Sequence, residues 1–196
     1  MDFACVLLDY DGVVRIFNDD LVTDIEANNG LRTGAVFHAA FEPGLLARVT
    51  TGKITREQWV ESVGITLGSP RAAQAWAIIP GDIDWDLISI VDDLRSRGVV
   101  VAILTNGTNE IPLQMSNFGI SEHFDAVFNS AEIGITKPDP RVFQYVSDTL
   151  GITAERIFFT DDSPSKLSGA TEVGMYTELY VGIDRFRTHL RGIGLL

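Results

Sequence analysis

Cysteine occurs once in this chain, at Cys5, so no internal disulfide can form, and no Cys/His cluster with zinc-ligand spacing is present. The three histidines, His38, His123 and His189, stand far apart. Positive charge is scarce: 15 Lys and Arg face 27 Asp and Glu, giving a formal charge of −12 with no basic block. A nucleic-acid partner needs clustered Lys and Arg against its phosphates, so the charge argues against that class and none is expected. Long apolar runs are missing too. The strongest, residues 99–104 (VVVAIL), falls far below the roughly 18 residues of a membrane span. The opening stretch MDFACVLLDYD carries an early acid and no positive leader, so it does not read as a signal peptide. Internal repeats and low-complexity segments are absent. These absences together lead to the expectation of a soluble, cytoplasmic protein with no membrane partner.

What remains is an ordinary globular composition. With 45% hydrophobic residues in 196, the chain can build one substantial core, or a core plus a small insertion. Short apolar, β-branched runs predict strands at Ala4–Leu8, Val99–Thr105, Ala126–Ser130, Arg156–Asp162 and Thr177–Val181. The segments between the later runs read as helices. Val142, Phe143, Val146 and Leu150 recur at helical spacing, with Asp139 as N-cap, Pro140 at the first position and Gly151 as the stop. Leu87, Ile90, Val91 and Leu94 form a similar stripe that closes at Gly98. Strands alternating with such helices predict an α/β fold: a doubly wound, parallel, Rossmann-like sheet of about five strands.

Residues 15–84 break the alternation. No strand is expected there, only helical pieces divided by Gly and Pro. Thr55 and Gln58 occupy capping-box positions, Ser69 and Pro70 open another helix, and a further pair is broken at Pro43–Gly44. The predicted organisation is a core of residues 1–14 and 85–196, with a helical insertion of residues 15–84 after the first strand. Trp59, Trp76 and Phe41 are assigned mainly to the insertion's own small core.

Ligands of open α/β sheets bind beyond the carboxyl ends of the strands. Four polar clusters fall at such ends: DYDGVV, TNG, TKPDP and TDDSPSK. Taken singly, each has an ordinary reading, since DG and NG mark turns and Ser163–Pro164 starts a helix. Right-handed connections bring them to one edge, and their convergence carries the weight. Successive residues of an extended chain alternate sides, so Asp9 and Asp11 face one site while Tyr10 faces away. With Asp161 and Asp162, up to four carboxylates gather, and they repel one another unless a cation intervenes. An all-oxygen, partly hydrated set suits Mg²⁺. Lys137 adds a positive charge, Thr105 a hydroxyl, and the Asn106–Gly107 turn exposed backbone N–H groups. Those are parts for holding a phosphoryl group, with Asp9 as its attacker.

The set DYDGVV … ILTNG … ITKPDPRVF … FFTDDSP resembles the four motifs of the haloacid dehalogenase-like hydrolase superfamily, and the helical insertion is similar to its type 1 cap. The resemblance covers nearly the whole chain. It implies that Asp9 is the nucleophile forming an aspartyl-phosphate and that Asp11 is the general acid. It implies that Thr105 and Lys137, with Asn106 beside Thr105, contact the phosphate. It assigns Asp9, Asp162 and the backbone carbonyl of Asp11 to the metal, with Asp161 as an outer partner. The implied activity is a Mg²⁺-dependent phosphatase acting on a small phosphorylated metabolite, with the insertion closing over the site on hinges near residues 14–17 and 81–86. The superfamily also contains dehalogenases, but that branch lacks an aspartate at position 11, and a departing halide needs no acid. A phosphomutase would keep the same residues. A catalytically silent binding protein is the remaining alternative, argued by Lys166, where relatives commonly carry Asn or Asp; this lysine is expected to point outward.

Overall fold

The structure, a computed structural model, describes residues 2–196. In chain order the elements are β1 (Cys5–Leu8), β2 (Arg15–Ile16), α1 (Asp19–Asn28), α2 (Ala35–Ala40), α3 (Pro43–Thr50), α4 (Arg56–Leu67), α5 (Pro70–Ala77), β3 (Asp82–Ile83) and α6 (Trp85–Ser96). They continue with β4 (Val100–Thr105), α7 (Ile111–Phe118), β5 (Ala126–Asn129), α8 (Ser130–Ile133), α9 (Pro140–Leu150), β6 (Ile157–Asp161), α10 (Ser168–Glu172), β7 (Tyr176–Leu179) and α11 (Ile183–Gly192). None of these helices is long and apolar enough to cross a membrane.

The main sheet has the order β5-β4-β1-β6-β7, and all its pairs are parallel. It is the five-stranded α/β sheet expected from the sequence, with strand ends within two residues of the predicted ones. β1 runs through the middle and is buried on both faces, which is why its sequence is continuously apolar rather than alternating. The two-residue period is still at work. Val6 and Leu8 join a core that includes Leu87, Val91 and Leu190, while Cys5 and Leu7 join the opposite one with Val142, Phe143 and Ala170. α9 forms as its sequence dictates: Asp139 accepts the N–H of Arg141 at 2.9 Å, Pro140 opens the helix, and Gly151 closes it at φ +66°.

The segment between β1 and α6 carries a third core built on Val60, Val63 and Ala73. α4 starts with the expected capping box of Thr55 and Gln58, and Ser69 caps α5 through the N–H of Ala72. Two expectations are corrected here. The break between α2 and α3 falls at Phe41–Glu42, because Pro43 serves as the first residue of α3 and the Glu42 carboxylate caps it through the N–H groups of Gly44 and Leu45. Two strands also exist where none was expected. β2 and β3 pair antiparallel, Arg15 with Ile83 and Ile16 with Asp82, so a short ribbon joins both crossings of the chain into the helical segment. Two residues per strand are too few to show a period of two. A second tie lies at the far side: the Ser130 hydroxyl donates to the Thr50 carbonyl at 2.6 Å, and Gly52, at φ +70°, packs so closely on Ala131 that a Cβ would meet its carbonyl oxygen.

Candidate active site

The sheet order reverses direction at β1, with β4 on one side and β6 on the other, and a crevice opens at their carboxyl ends. Asp9 follows β1 directly and keeps its register, since its N–H donates to the Thr160 carbonyl at 3.0 Å. Thr105 and Asp161 are the last residues of β4 and β6. The topology therefore brings to one place residues about 150 positions apart in sequence.

Tyr10 is fully buried in the core, and the extended backbone turns its neighbours outward. The Asp9 carboxylate accepts the N–H of Tyr10 at 2.7 Å and the Lys137 ammonium at 2.7 Å. Lys137 also donates to Asp161 Oδ2 at 2.6 Å and lies 5.5 Å from the Phe159 ring centre, so one buried lysine bridges two buried carboxylates. The second oxygen of Asp161 accepts the Ser163 N–H at 2.9 Å. Asp162 turns toward the same point, and carboxylate oxygens of Asp9, Asp161 and Asp162 lie within 4.8 Å of one another. Gly12 makes room for this: at φ +93°, a Cβ there would stand 2.1 Å from Asp162 Oδ2.

Three carboxylates around one ammonium leave excess negative charge, which favours the protonated acids. Burial pushes the Asp9 carboxyl from 3.8 up to about 7; Lys137 opposes the rise and Asp161 adds to it. Partial burial, with Asp161 as neighbour, raises Asp162 as well. Such an all-oxygen set can hold a hard divalent cation.

The loop carrying Lys137 is fixed by Asn106. Its side-chain oxygen accepts the Lys137 N–H at 2.8 Å and its amide donates to the Lys137 carbonyl at 2.9 Å. Both ends of the Asn106 side chain are thus committed to the loop, and its backbone N–H is what it retains for a ligand. The Lys137–Pro138 peptide is cis. Gly169 of α10 packs against that bond, where a Cβ would meet the Pro138 carbonyl oxygen. Thr105 is buried, and its hydroxyl, which makes no hydrogen bond among the described residues, lines the crevice.

Asp11 sits apart from the three clustered carboxylates. Its carboxylate accepts Arg15 Nε at 2.6 Å, and the side chain remains 41% exposed. Arg15 also donates to Gln114 Oε1 at 2.7 Å and stacks between the Tyr10 and Phe17 rings. Neither Arg15 nor Gln114 was singled out from the sequence. The available signal was the four-residue spacing from Asp11 to an arginine set at the start of the insertion. Lys166 is a correction: instead of pointing outward, it lines the cavity and its ammonium lies 3.4 Å from the Lys137 carbonyl. The chain after Ser163 makes one 3₁₀ turn, Pro164–Lys166, before α10 begins, and three residues per turn bring position 166 back over position 163.

All these groups open into one cavity of about 560 Å³, which runs from the strand ends up between helices α1 to α5. Its size falls in the range of small-molecule sites.

The profile of the haloacid dehalogenase-like hydrolases matches residues 3–174. The chain is 28% identical over 163 residues to bifunctional epoxide hydrolase 2 of Rattus norvegicus, covering 73% of this chain and 29% of that protein. It is 35% identical over 95 residues to a phosphoserine phosphatase of Thermus thermophilus, covering 47% and 37%. It is 30% identical over 93 residues to (S)-2-haloacid dehalogenase 4A of Burkholderia cepacia, covering 47% and 40%. The chain thus spans well under half the length of these curated relatives. Among solved structures, an HAD family enzyme from Bacteroides thetaiotaomicron, crystallised with magnesium and inorganic phosphate, superposes with a TM-score of 0.79 at 21% identity, covering 95% of this chain and 98% of that one.

Proposed function

The chain belongs to the haloacid dehalogenase-like hydrolase family, and from that premise we propose that it is a Mg²⁺-dependent phosphatase acting on a small phosphorylated metabolite. The observation that carries this reading is the meeting of Asp9, Asp161, Asp162 and Lys137 at one end of a single cavity. The relative named as a phosphatase and the fold neighbour that binds magnesium and phosphate support it.

The donor set fits the ion: three carboxylates against one ammonium leave a net negative, all-oxygen site that would suit a hard divalent cation. Asp9 and Asp162 would hold it through carboxylates and Asp11 through its backbone carbonyl, with Asp161 behind them. Bound Mg²⁺ offsets the charge on the transferring group. An Asp9 carboxylate oxygen attacks phosphorus as the bond to the ester oxygen breaks, and Asp11 gives that oxygen its proton. Thr105, Lys137 and the N–H groups of the Asn106–Gly107 turn hold the phosphoryl oxygens. Asp11 then takes a proton from a water that attacks phosphorus, and the bond to Asp9 breaks. Inorganic phosphate leaves and Asp9 is restored. Residues 15–84 act as a cap on the core of residues 1–14 and 85–196, hinged at the β2–β3 ribbon, and exclude bulk water.

The test is p-nitrophenyl phosphate hydrolysis with Mg²⁺ and with a chelator. Chelation is expected to reduce phosphate release at least about 100-fold. A matched relative is a dehalogenase, so chloride release from 2-chloropropionate is measured beside it; metal-independent halide release without phosphate release would overturn the proposal.

The raised Asp9 carboxyl sets the pH dependence. Where the unfolded chain has lost this proton, the folded, metal-free state still holds it, so metal-free stability declines as pH rises from about 4 to about 7. The same proton must leave before the ion binds. Apparent Mg²⁺ affinity should therefore rise about tenfold per pH unit up to about pH 7 and level off above, which titration calorimetry across that range would read.

A further inference from the structure

The cavity has two chemically different ends. Its floor holds the carboxylates and lysines; its far end is walled by Val36, Phe37, Phe41, Leu46, Trp59 and Trp76. Four of these rings form one ladder. Phe37 stacks on Phe41 with centres 4.3 Å apart, Phe41 meets Trp59 edge-on at 6.3 Å, and Trp59 meets Trp76 edge-on at 5.0 Å. Trp59 is buried, yet Phe37 and Phe41 stay 63% and 39% exposed. Large rings grouped and uncovered at the edge of a cleft mark a surface that a ligand covers.

Several polar groups beside these rings are already engaged. The Trp59 indole donates to the Ala40 carbonyl at 2.9 Å, and the Thr50 hydroxyl to the Leu46 carbonyl at 2.8 Å. Arg56, the cation that reaches this end, pairs with Glu110 at 3.1 Å and donates to the Ala77 carbonyl. The Trp76 indole N–H is left with no hydrogen bond among the described residues, a single donor in an apolar wall. A sugar or amino-acid group lodged against these rings would give up water and find few partners in the ring wall itself, and unpaired buried polar groups are heavily penalised.

We infer that the ester hydrolysed at this site is the monophosphate of an apolar, ring-bearing alcohol, its phosphoryl group over Asp9 and its organic half against the Phe37–Phe41 face. The inference rests on the phosphatase reading and adds to it the chemistry of the leaving alcohol.

Two primary alkyl esters of similar intrinsic reactivity test it: 2-phenylethyl phosphate and glycerol 1-phosphate. Burial of one phenyl ring predicts a kcat/KM about 50-fold higher for the first, carried mostly by KM. Phe37→Ala should shrink that ratio about fivefold. Tryptophan fluorescence of the Asp9→Asn protein should change saturably with 2-phenylethyl phosphate and not with glycerol 1-phosphate, which reads the wall without turnover. Equal hydrolysis of both esters, with a ratio unmoved by Phe37→Ala or no selective fluorescence change, overturns the inference and leaves the phosphatase standing. Failure to release phosphate from either ester, from p-nitrophenyl phosphate and from acetyl phosphate brings down both.

Discussion

Asp9→Asn is expected to lower phosphate release at least about 10⁴-fold while leaving the protein folded and, in chelator at pH 8, more thermostable than the parent. The two effects share one cause. The Asp9 residue is 8% exposed and stands beside Asp161, in a place that raises its pKa to about 7. At pH 8 the metal-free parent must keep that charge buried, and a neutral amide of the same shape does not. The Asn oxygen can still accept the Tyr10 N–H and the Lys137 ammonium. What it cannot do is attack phosphorus, and removing a nucleophile forfeits nearly all of the covalent route. A site that is costly to the empty protein and needed for turnover is a common trade. Phosphate release and thermal unfolding in chelator check the two halves separately. Turnover equal to the parent's would remove Asp9 from the chemistry.

Lys137→Met should be the most destabilising single change at the site. Lys137 is 2% exposed and lies between Asp9 at 2.7 Å and Asp161 at 2.6 Å. Removing one partner of a buried ion pair costs about 3–5 kcal/mol, because the other charge stays buried without it. For a domain of this size that corresponds to a fall in Tm of roughly 10 °C. The loss should grow as pH rises. Without the ammonium, Asp9 retains its proton in the folded state to still higher pH, so the variant is least impaired in acid and most impaired above neutrality. Adding Asp161→Asn should recover a good part of the stability, and the shortfall from additivity measures the coupling. Thermal unfolding at pH 5 and pH 8 for the two singles and the double is the measurement. Equal loss at both values would mean that the Asp9 carboxyl does not sense the lysine.

Much of this arrangement was legible in the sequence, and the reason is length of signal. β1, β4 and β6 are runs buried on both faces, so their apolar continuity survives in the letters, and the polar residue ending each run marks the edge where chemistry sits. α9 and α4 announce themselves by caps, whose side chains bond to backbone within three residues. The features that escaped are short or depend on distant partners. β2 and β3 have two residues each and exist because they meet one another across the insertion. The inward turn of Lys166 follows from one 3₁₀ turn that no periodicity encodes. α1 was not delimited because its apolar stripe is weak. Its anchor is Glu26, an acid buried to 2% exposure that accepts the N–H groups of Gly34 and Val36, and a buried acid in this role looks like a surface residue in the sequence. Arg15 escaped for a related reason, since its partners Asp11 and Gln114 come together only in the folded chain.

The ribbon at Arg15–Ile16 and Asp82–Ile83 also sets two splice points side by side. Because the chain leaves and re-enters the sheet through neighbouring hydrogen-bonded positions, the stretch between them could be exchanged for a foreign helical segment that remakes the Thr50–Ser130 tie, without moving either splice point. Chimeras cut at this seam would carry the same carboxylate floor under a different roof, which turns selectivity into a property that can be transplanted.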